Sequence, residues 1–499
     1  MRTHRFLVIV MVALAIAVTA IPAASQAQDN PPLLPLDDPL APFLESRAYA
    51  AAQGATNEFR KMEWVAVDPA KSKLYLAMSE VNKTMSDGEG AIQLEENNCG
   101  IVYEADLDGD FNVGALKPLL VGGPYTEGAE NACDVDNIAN PDSLFVDPEG
   151  NLWIGEDTSA HVNNMIWRWD GTELKRFATM PLGAEATGVM FTDAGDMFFS
   201  VQHPSSRNVY PFNRAAVVAV GKFNAKNDFT AVDVPEGDAQ RTLVTPKNTT
   251  AQIIARAGEP IPNDMAGQRF GQVDRLDGST QFMCNQPDGN VFLPVNDSAN
   301  EGYLYTNYEC RPGAVGKVYL KKANSGWRVL EGENVDFSGV AGTWNNCGSS
   351  RTPWNTVLTS EEYEPPALTD GWQQNVTMMT SYLGEQANPY DYGFQVELSP
   401  DDGGDSIGSL VTKRYAMGRL SHEVALVMPD SKTVYFGDDG SATVFFKFIA
   451  DEAGDLSAGT LYAAKVTQQD DASLALEWIE LGSGNDDEIA EALSDMTLP

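Results

Sequence analysis

DSLFVDPEGNLWIGED, residues 142–157, holds two short apolar strands, Leu144 to Val146 and Leu152 to Ile154, around Asp147-Pro148-Glu149-Gly150-Asn151. Aspartate ties its own turn by accepting backbone N–H groups, proline presets φ, and glycine takes the positive φ that closes the reversal. The stretch therefore predicts a β-hairpin. Strand, Asp/Pro/Gly turn and aromatic-bearing strand recur in EWVAVDPAKSKLYLAMSE (63–80), TGVMFTDAGDMFFSVQH (187–203), MCNQPDGNVFLPVND (283–297) and HEVALVMPDSKTVYFGDD (422–439). Outside the first residues and the acidic end after Gly484 there is almost no helical periodicity. Irregularly spaced hairpins of one kind read as blades with loop insertions, so the expected fold is all-β: a single-ring β-propeller of about six blades. An array of β-sandwiches is the alternative.

The ends of these hairpins carry the chemistry. First strands start at Glu63, Asp142 and Glu423, and second strands close on Glu80, Asp157 and Asp439. Propeller inner strands converge on a central channel, where gathered carboxylates repel one another unless cations lie between them. Oxygen donors in such a ring point to calcium or a similar hard ion. For any single acid the alternative is a residue capping a strand.

Composition bounds the partners. The chain has 499 residues and a formal net charge of −38. Residues 1–27 read as a secretory leader, basic at MRTHR, apolar through FLVIVMVALAIAVTA and ending in Ser25-Gln26-Ala27; the apolar run is too short to span a bilayer. It lacks an adjacent arginine pair, which favours general secretion over the twin-arginine route. Losing Arg2 and Arg5 leaves 31 basic residues against 71 acidic ones, or −40. That charge argues against nucleic acid and anionic membrane as partners, and the expected product is an exported, periplasmic or secreted monomer. Of five cysteines, Cys99 with Cys133 and Cys284 with Cys310 are candidate disulfides, though spacing alone does not fix the connectivity. Cys347 is left over, in a Gly/Ser turn of GTWNNCGSSRTPWNTVLTSEEY (342–363) ahead of Glu361 and Glu362. It reads as a soft metal ligand, a free thiol or a buried inert one.

Several segments together resemble the PhoX-type alkaline phosphatases: NCGSSRTPWNTVLTSEE (346–362), GRLSHE (418–423) with YFGDD (435–439), GTLYAAKV (459–466), KMEWVAVDP (61–69), and GAEATG (183–188) with VQHP (201–204). The cysteine-to-glutamate spacing is the most specific of these. The resemblance covers residues 58–205 and 280–470, in an order opposite to the family's, as in a circular permutation bridged by the insert 206–279. It divides the chain into a leader (1–27), an N-terminal segment (28–57), a propeller (58–484) and an acidic tail (485–499).

The resemblance implies phosphate-monoester hydrolysis at a cluster of iron and calcium acting on small phosphorylated substrates. It places the iron-ligating cysteine at Cys347 and metal-ligating glutamates at Glu362, Glu423 and Glu63, with Glu309, Asp439, Asp157 and Glu185 as further calcium ligands or their supports. Glu361, Asp438, His422 and His203 are expected around those ligands. Lys61 stands where the family carries an arginine that grips phosphate, with Arg60 a possible substitute; lysine offers a point charge in place of a planar fork. Without a Ser/His/Asp arrangement, and with only four histidines, catalysis would fall to metal. Calcium-only lactonase-like propellers and non-catalytic calcium-binding propellers are the competing readings.

Overall fold

The computed structural model describes residues 34–496 apart from 265, 325, 368 and 401–408. The expected leader, residues 1–27, lies outside them. Six antiparallel sheets follow one another along the chain: blade 1 (residues 62–121), blade 2 (141–179), blade 3 (185–256), blade 4 (287–334), blade 5 (346–414) and blade 6 (422–485). The inner strand of each blade lies beside those of its two neighbours, and that of blade 1 also lies beside that of blade 6, closing a ring. Blade 6 has a fifth, outermost strand, Leu474–Asn485, whose Leu474 and Ala475 pair with Leu116 and Ala115 of blade 1.

Apolar side chains pack between facing blades rather than in one central core. Between blades 2 and 3 an aromatic group joins Trp153, Phe177, Phe191, Phe223 and Phe229, with the Trp153 and Phe177 rings 5.1 Å apart and edge to face. Each such ring removed from water contributes about 2–3 kcal/mol. Comparable layers lie between the other blades.

Two stretches differ from the expected pattern. Pro287-Asp288-Gly289-Asn290 is not a hairpin turn: it opens the inner strand of blade 4, Pro287–Pro294, which pairs with Glu301–Tyr308. Asn346–Arg351, expected as a Gly/Ser turn around Cys347, is likewise the inner strand of blade 5. Glycine serves close packing there, because a Cβ on Gly348 would lie 2.2 Å from the Glu423 carbonyl oxygen. The insert 206–279 supplies the outer strands of blade 3, Ala216–Gly221 and Thr250–Arg256. The acidic tail begins as a helix, Asp486–Ser494, capped by Asn485, with Ile489 and Leu493 buried. Disulfides join Cys99 to Cys133 and Cys284 to Cys310, leaving Cys347 free and buried. Among the described residues no helix is long and apolar enough to cross a membrane.

Gly188, at φ +57°, is a test of ring packing: a Cβ there would lie 2.3 Å from the Asp288 carbonyl oxygen of blade 4. Gly188→Ala is expected to lose roughly 2–3 kcal/mol in denaturant unfolding. Gly109→Ala, with open space around its Cβ, should be near neutral. Equal effects would contradict this packing.

Candidate active site

Every inner strand carries a β-bulge at the same level. In blade 1, Met62 pairs with Met78 and Val65 with Leu76, so three steps face two. The same mismatch occurs in the other five blades. A bulge re-aims the extra side chain and increases the local twist. The residues at the bulge are Glu63, Asp142, Gly188, Asp288, Cys347 and Glu423, in blade order. Blade 3, with glycine at that place, extends its hairpin further, and Glu185 pairs with Gln202 there. A second tier comes from the residue that follows the bulge partner on the neighbouring strand: Asp157, Glu309, Glu362 and Asp439.

These side chains converge. Four groups have ligand atoms within 4.8 Å of one another: Glu63 with Asp142 and Glu423; Cys347 with Glu362 and Glu423; Asp288 with Glu309 and Cys347; and Asp157 with Glu185 and His203. The first three share Glu423 and Cys347 and so form one continuous cluster. Cys347 Sγ lies 2.9 Å from Asp288 Oδ2 and 3.2 Å from Glu423 Oε1. Polar neighbours orient the acids. Ser79 Oγ donates to Glu63 (2.7 Å), Thr187 Oγ1 to Asp288 (2.5 Å) and Gln202 Nε2 to Glu309 (3.1 Å), while Asn345 Nδ2 bridges Glu309 and Glu362 at 3.1 Å each.

Burial and mutual repulsion set the electrostatics. Burial, with Glu362 and Glu63 nearby, holds the Glu423 carboxyl well above its ordinary range, and burial does the same for Asp142, Glu185 and Glu362. Glu63 and Glu309 are each pushed up to about 7 by burial, then by Asp439 and Asp288 respectively. Burial beside Asp288 and Glu423 also drives the Cys347 thiol upward. Asp439 is the exception: despite burial, Lys61 at 3.3 Å and the Tyr363 hydroxyl keep it low. Lys61 Nζ also lies 2.9 Å from Glu63 Oε1. One lysine cannot balance this many acids, so the donor set fits metal: oxygens for hard cations and one sulfur for a softer one.

The remaining candidates lie around the cluster in distinct ways. Neighbours on a strand point to opposite faces, so Glu362, Asp439 and Glu423 enter the channel while Glu361, Asp438 and His422 turn into the blades. Glu361 accepts from Trp344 N (2.9 Å), Gly393 N (2.8 Å), Phe394 N (3.0 Å) and buried Lys413 Nζ (3.1 Å). Asp438 Oδ2 accepts from Arg47 Nε (2.6 Å). His422 Nε2 is 2.9 Å from the Gly418 carbonyl, and burial pushes its pKa down to about 4. Arg60 is taken up by Glu80 at 2.6 Å and the Gly440 carbonyl, whereas Lys61 reaches the cluster. His203, partly exposed, joins Glu185 at 3.1 Å. Sequence reasoning counted Asp142 among the acids at hairpin ends without giving it a role of its own, and it missed Asp288. Aligning Asn140-Pro141-Asp142 with Gln286-Pro287-Asp288 as parallel strand openings was the available signal. Arg311, which sequence reasoning did not single out, is an exposed guanidinium 5.0 Å from the Trp344 ring and 6.0 Å from the Tyr363 ring.

The raised carboxyls carry a stability consequence. Folding favours the neutral forms of Glu63 and Glu309, so their stabilising contribution is full below about 4.5 and is lost as pH rises through about 7. Metal-depleted protein should lose melting temperature across that window relative to metal-loaded protein, in which a bound cation favours the ionised forms. Parallel pH profiles for the two forms would contradict a cation site here.

Curated protein sequences give no match. Among solved structures, Pseudomonas fluorescens PhoX in complex with vanadate is similar at 19% identity and a TM-score of 0.36. That alignment covers 47% of this chain and 55% of the other, about half the length of each. A Xanthomonas campestris gluconolactonase is similar at 11% identity and a TM-score of 0.38, over 79% of this chain and 90% of that one. The Dos1 propeller is similar at 11% and 0.34, over 86% and 94%. The family described as Alkaline phosphatase PhoX matches residues 39–205 and 311–497. Those two segments hold every residue of the cluster except Asp288 and Glu309, and with more than two thirds of its length matched, the chain belongs to the PhoX alkaline phosphatase family.

Proposed function

We propose that this protein is an exported metal-dependent phosphatase that hydrolyses monoesters of small phosphorylated molecules at an iron–calcium cluster in the propeller channel. The observation that carries the reading is the buried Cys347 thiol among Asp288, Glu309, Glu362 and Glu423, in a chain of this family. Cys347 with those carboxylates would hold iron; Glu63 with Asp142, and Asp157 with Glu185, would hold calcium. Bound there, the ions would supply Lewis acidity toward phosphoryl oxygens and offset the charge of carboxylates and substrate. The chain's own part is positional. The bulges aim the ligands into the channel, the packed blades hold the strands that carry them, and Lys61 presents a cation to an entering phosphate. Arg311, stacked on Trp344 and Tyr363, offers a second at the rim.

Export rests on the leader expected in residues 1–27, and two disulfides suit an oxidising compartment. The order of the motifs, Glu63 before Cys347, supports a circularly permuted member, which a closed ring with neighbouring ends accommodates. A monomer is the state proposed.

Cys347→Ser is expected to lower turnover of 4-nitrophenyl phosphate roughly 100-fold or more, as loss of a metal-site group does. Undiminished activity would favour a calcium-only enzyme and contradict this reading. Lys61→Arg should lower KM for the same ester several-fold, since the planar fork grips phosphate in two places. An unchanged KM would remove Lys61 from substrate binding.

A further inference from the structure

Beside the cluster lies a cleft of about 470 Å³ that the phosphatase reading does not use. Pro204, Arg214, Gly258, Arg269, Met283 and Asn285 line it. All but Pro204 fall within residues 206–310, outside the segments matched to the family.

Its charge is unlike the rest of the chain. Residues 206–279 hold nine basic and eight acidic side chains, a balance of +1, so the remainder carries −39. Two guanidinium groups meet at Gly258. Arg269 Nη1 donates to its carbonyl oxygen at 2.9 Å. Arg214 Nη1 lies 3.1 Å from the point a Cβ on Gly258 would occupy. Glycine, at φ +80°, leaves that space to the arginine. Both side chains are exposed, and neither forms an ion pair among the described residues. Asn285 uses Oδ1 to accept from Ala215 N at 3.0 Å, which leaves its amide donors to a ligand.

Residues that line the cleft are joined through the chain to residues of the cluster. Pro204 follows His203, which holds Glu185. Asn285 precedes Asp288 by three residues, a reach of at most about 10 Å. The Cys284–Cys310 disulfide ties the same segment to the residue next to Glu309. We infer that this cleft is a second anion subsite, in which Arg214 and Arg269 hold a phosphate group that is not cleaved while another phosphate of the same small molecule enters the metal cluster. Arginine forks suit this role, since bidentate, charge-assisted bonds to phosphate are strong and directional. The inference deepens the phosphatase reading and rests on it for the second phosphate's site.

The test uses the full metal-loaded chain and two ligands with uncleavable carbon–phosphorus bonds: hexane bisphosphonate, with a group at each end, and hexane monophosphonate. Calorimetric titration should show the bisphosphonate binding roughly tenfold or more tightly, because the second contact becomes intramolecular. In Arg214→Gln/Arg269→Gln the advantage should shrink to within about twofold, with the monophosphonate Kd unchanged. Arg214→Lys/Arg269→Lys should retain part of it. Equal affinities in the native chain, or an advantage that survives the double Gln variant, would overturn the inference. So would a second site that takes inorganic phosphate alone without a bisphosphonate advantage. Turnover of 4-nitrophenyl phosphate, measured separately, reports on the phosphatase reading: a chain without turnover that keeps the Arg-dependent bisphosphonate advantage would sink that reading and leave the cleft's anion site standing.

Discussion

Carboxylates buried together repel one another, and the arrangement of Glu63, Asp142, Asp288, Glu423 and Cys347 is governed by that fact. Each side chain alone would be driven to its neutral form by burial. Together, with Glu309, Glu362 and Asp439 as a second tier, they leave room for little except cations, since Lys61 is the one ammonium among them in the described residues. The fold serves this concentration of charge. Six blades pack face to face through apolar and aromatic layers, and the rigidity of those layers holds the acids in place against repulsion. A repeated bulge turns a side chain of an ordinary inner strand into the channel, and five of its six copies, all but that of Gly188, contribute to one site.

The channel also explains why neighbouring residues have opposite fates. Glu361 and Glu362, Asp438 and Asp439, His422 and Glu423 are adjacent pairs on strand ends. One member of each enters the cluster; the other anchors a blade to backbone amides, to Lys413 or Arg47, or to a carbonyl. The pairing lets one residue of a strand end face the channel while its neighbour fastens that end to the blade.

Much of this was legible in the sequence. Asp-Pro-Gly turns between apolar strands announced the blades, and acids at hairpin ends announced the ring, because strand alternation and turn chemistry are local rules. Cysteine pairing left Cys347 as the odd thiol, and its spacing to Glu362 carried the resemblance to the family. Less local features were hidden. Pro287-Asp288-Gly289-Asn290 has the composition of a turn, yet it is a strand opening, and its glycine serves close packing, since a Cβ on Gly289 would lie 2.6 Å from the Ser349 amide nitrogen. Arg60 looked able to replace an arginine at position 61, but Glu80 claims it. In each case a partner distant in sequence decides the outcome.

The central proposal is a metal centre in the channel with a thiolate ligand from Cys347. Elemental analysis of protein purified without added metal or chelator, scaled to protein concentration, tests it most directly when the native chain and Cys347→Ser are compared. The account predicts iron together with calcium in the native chain and loss of iron, with calcium retained, in the variant. A folded native chain holding neither metal would contradict it.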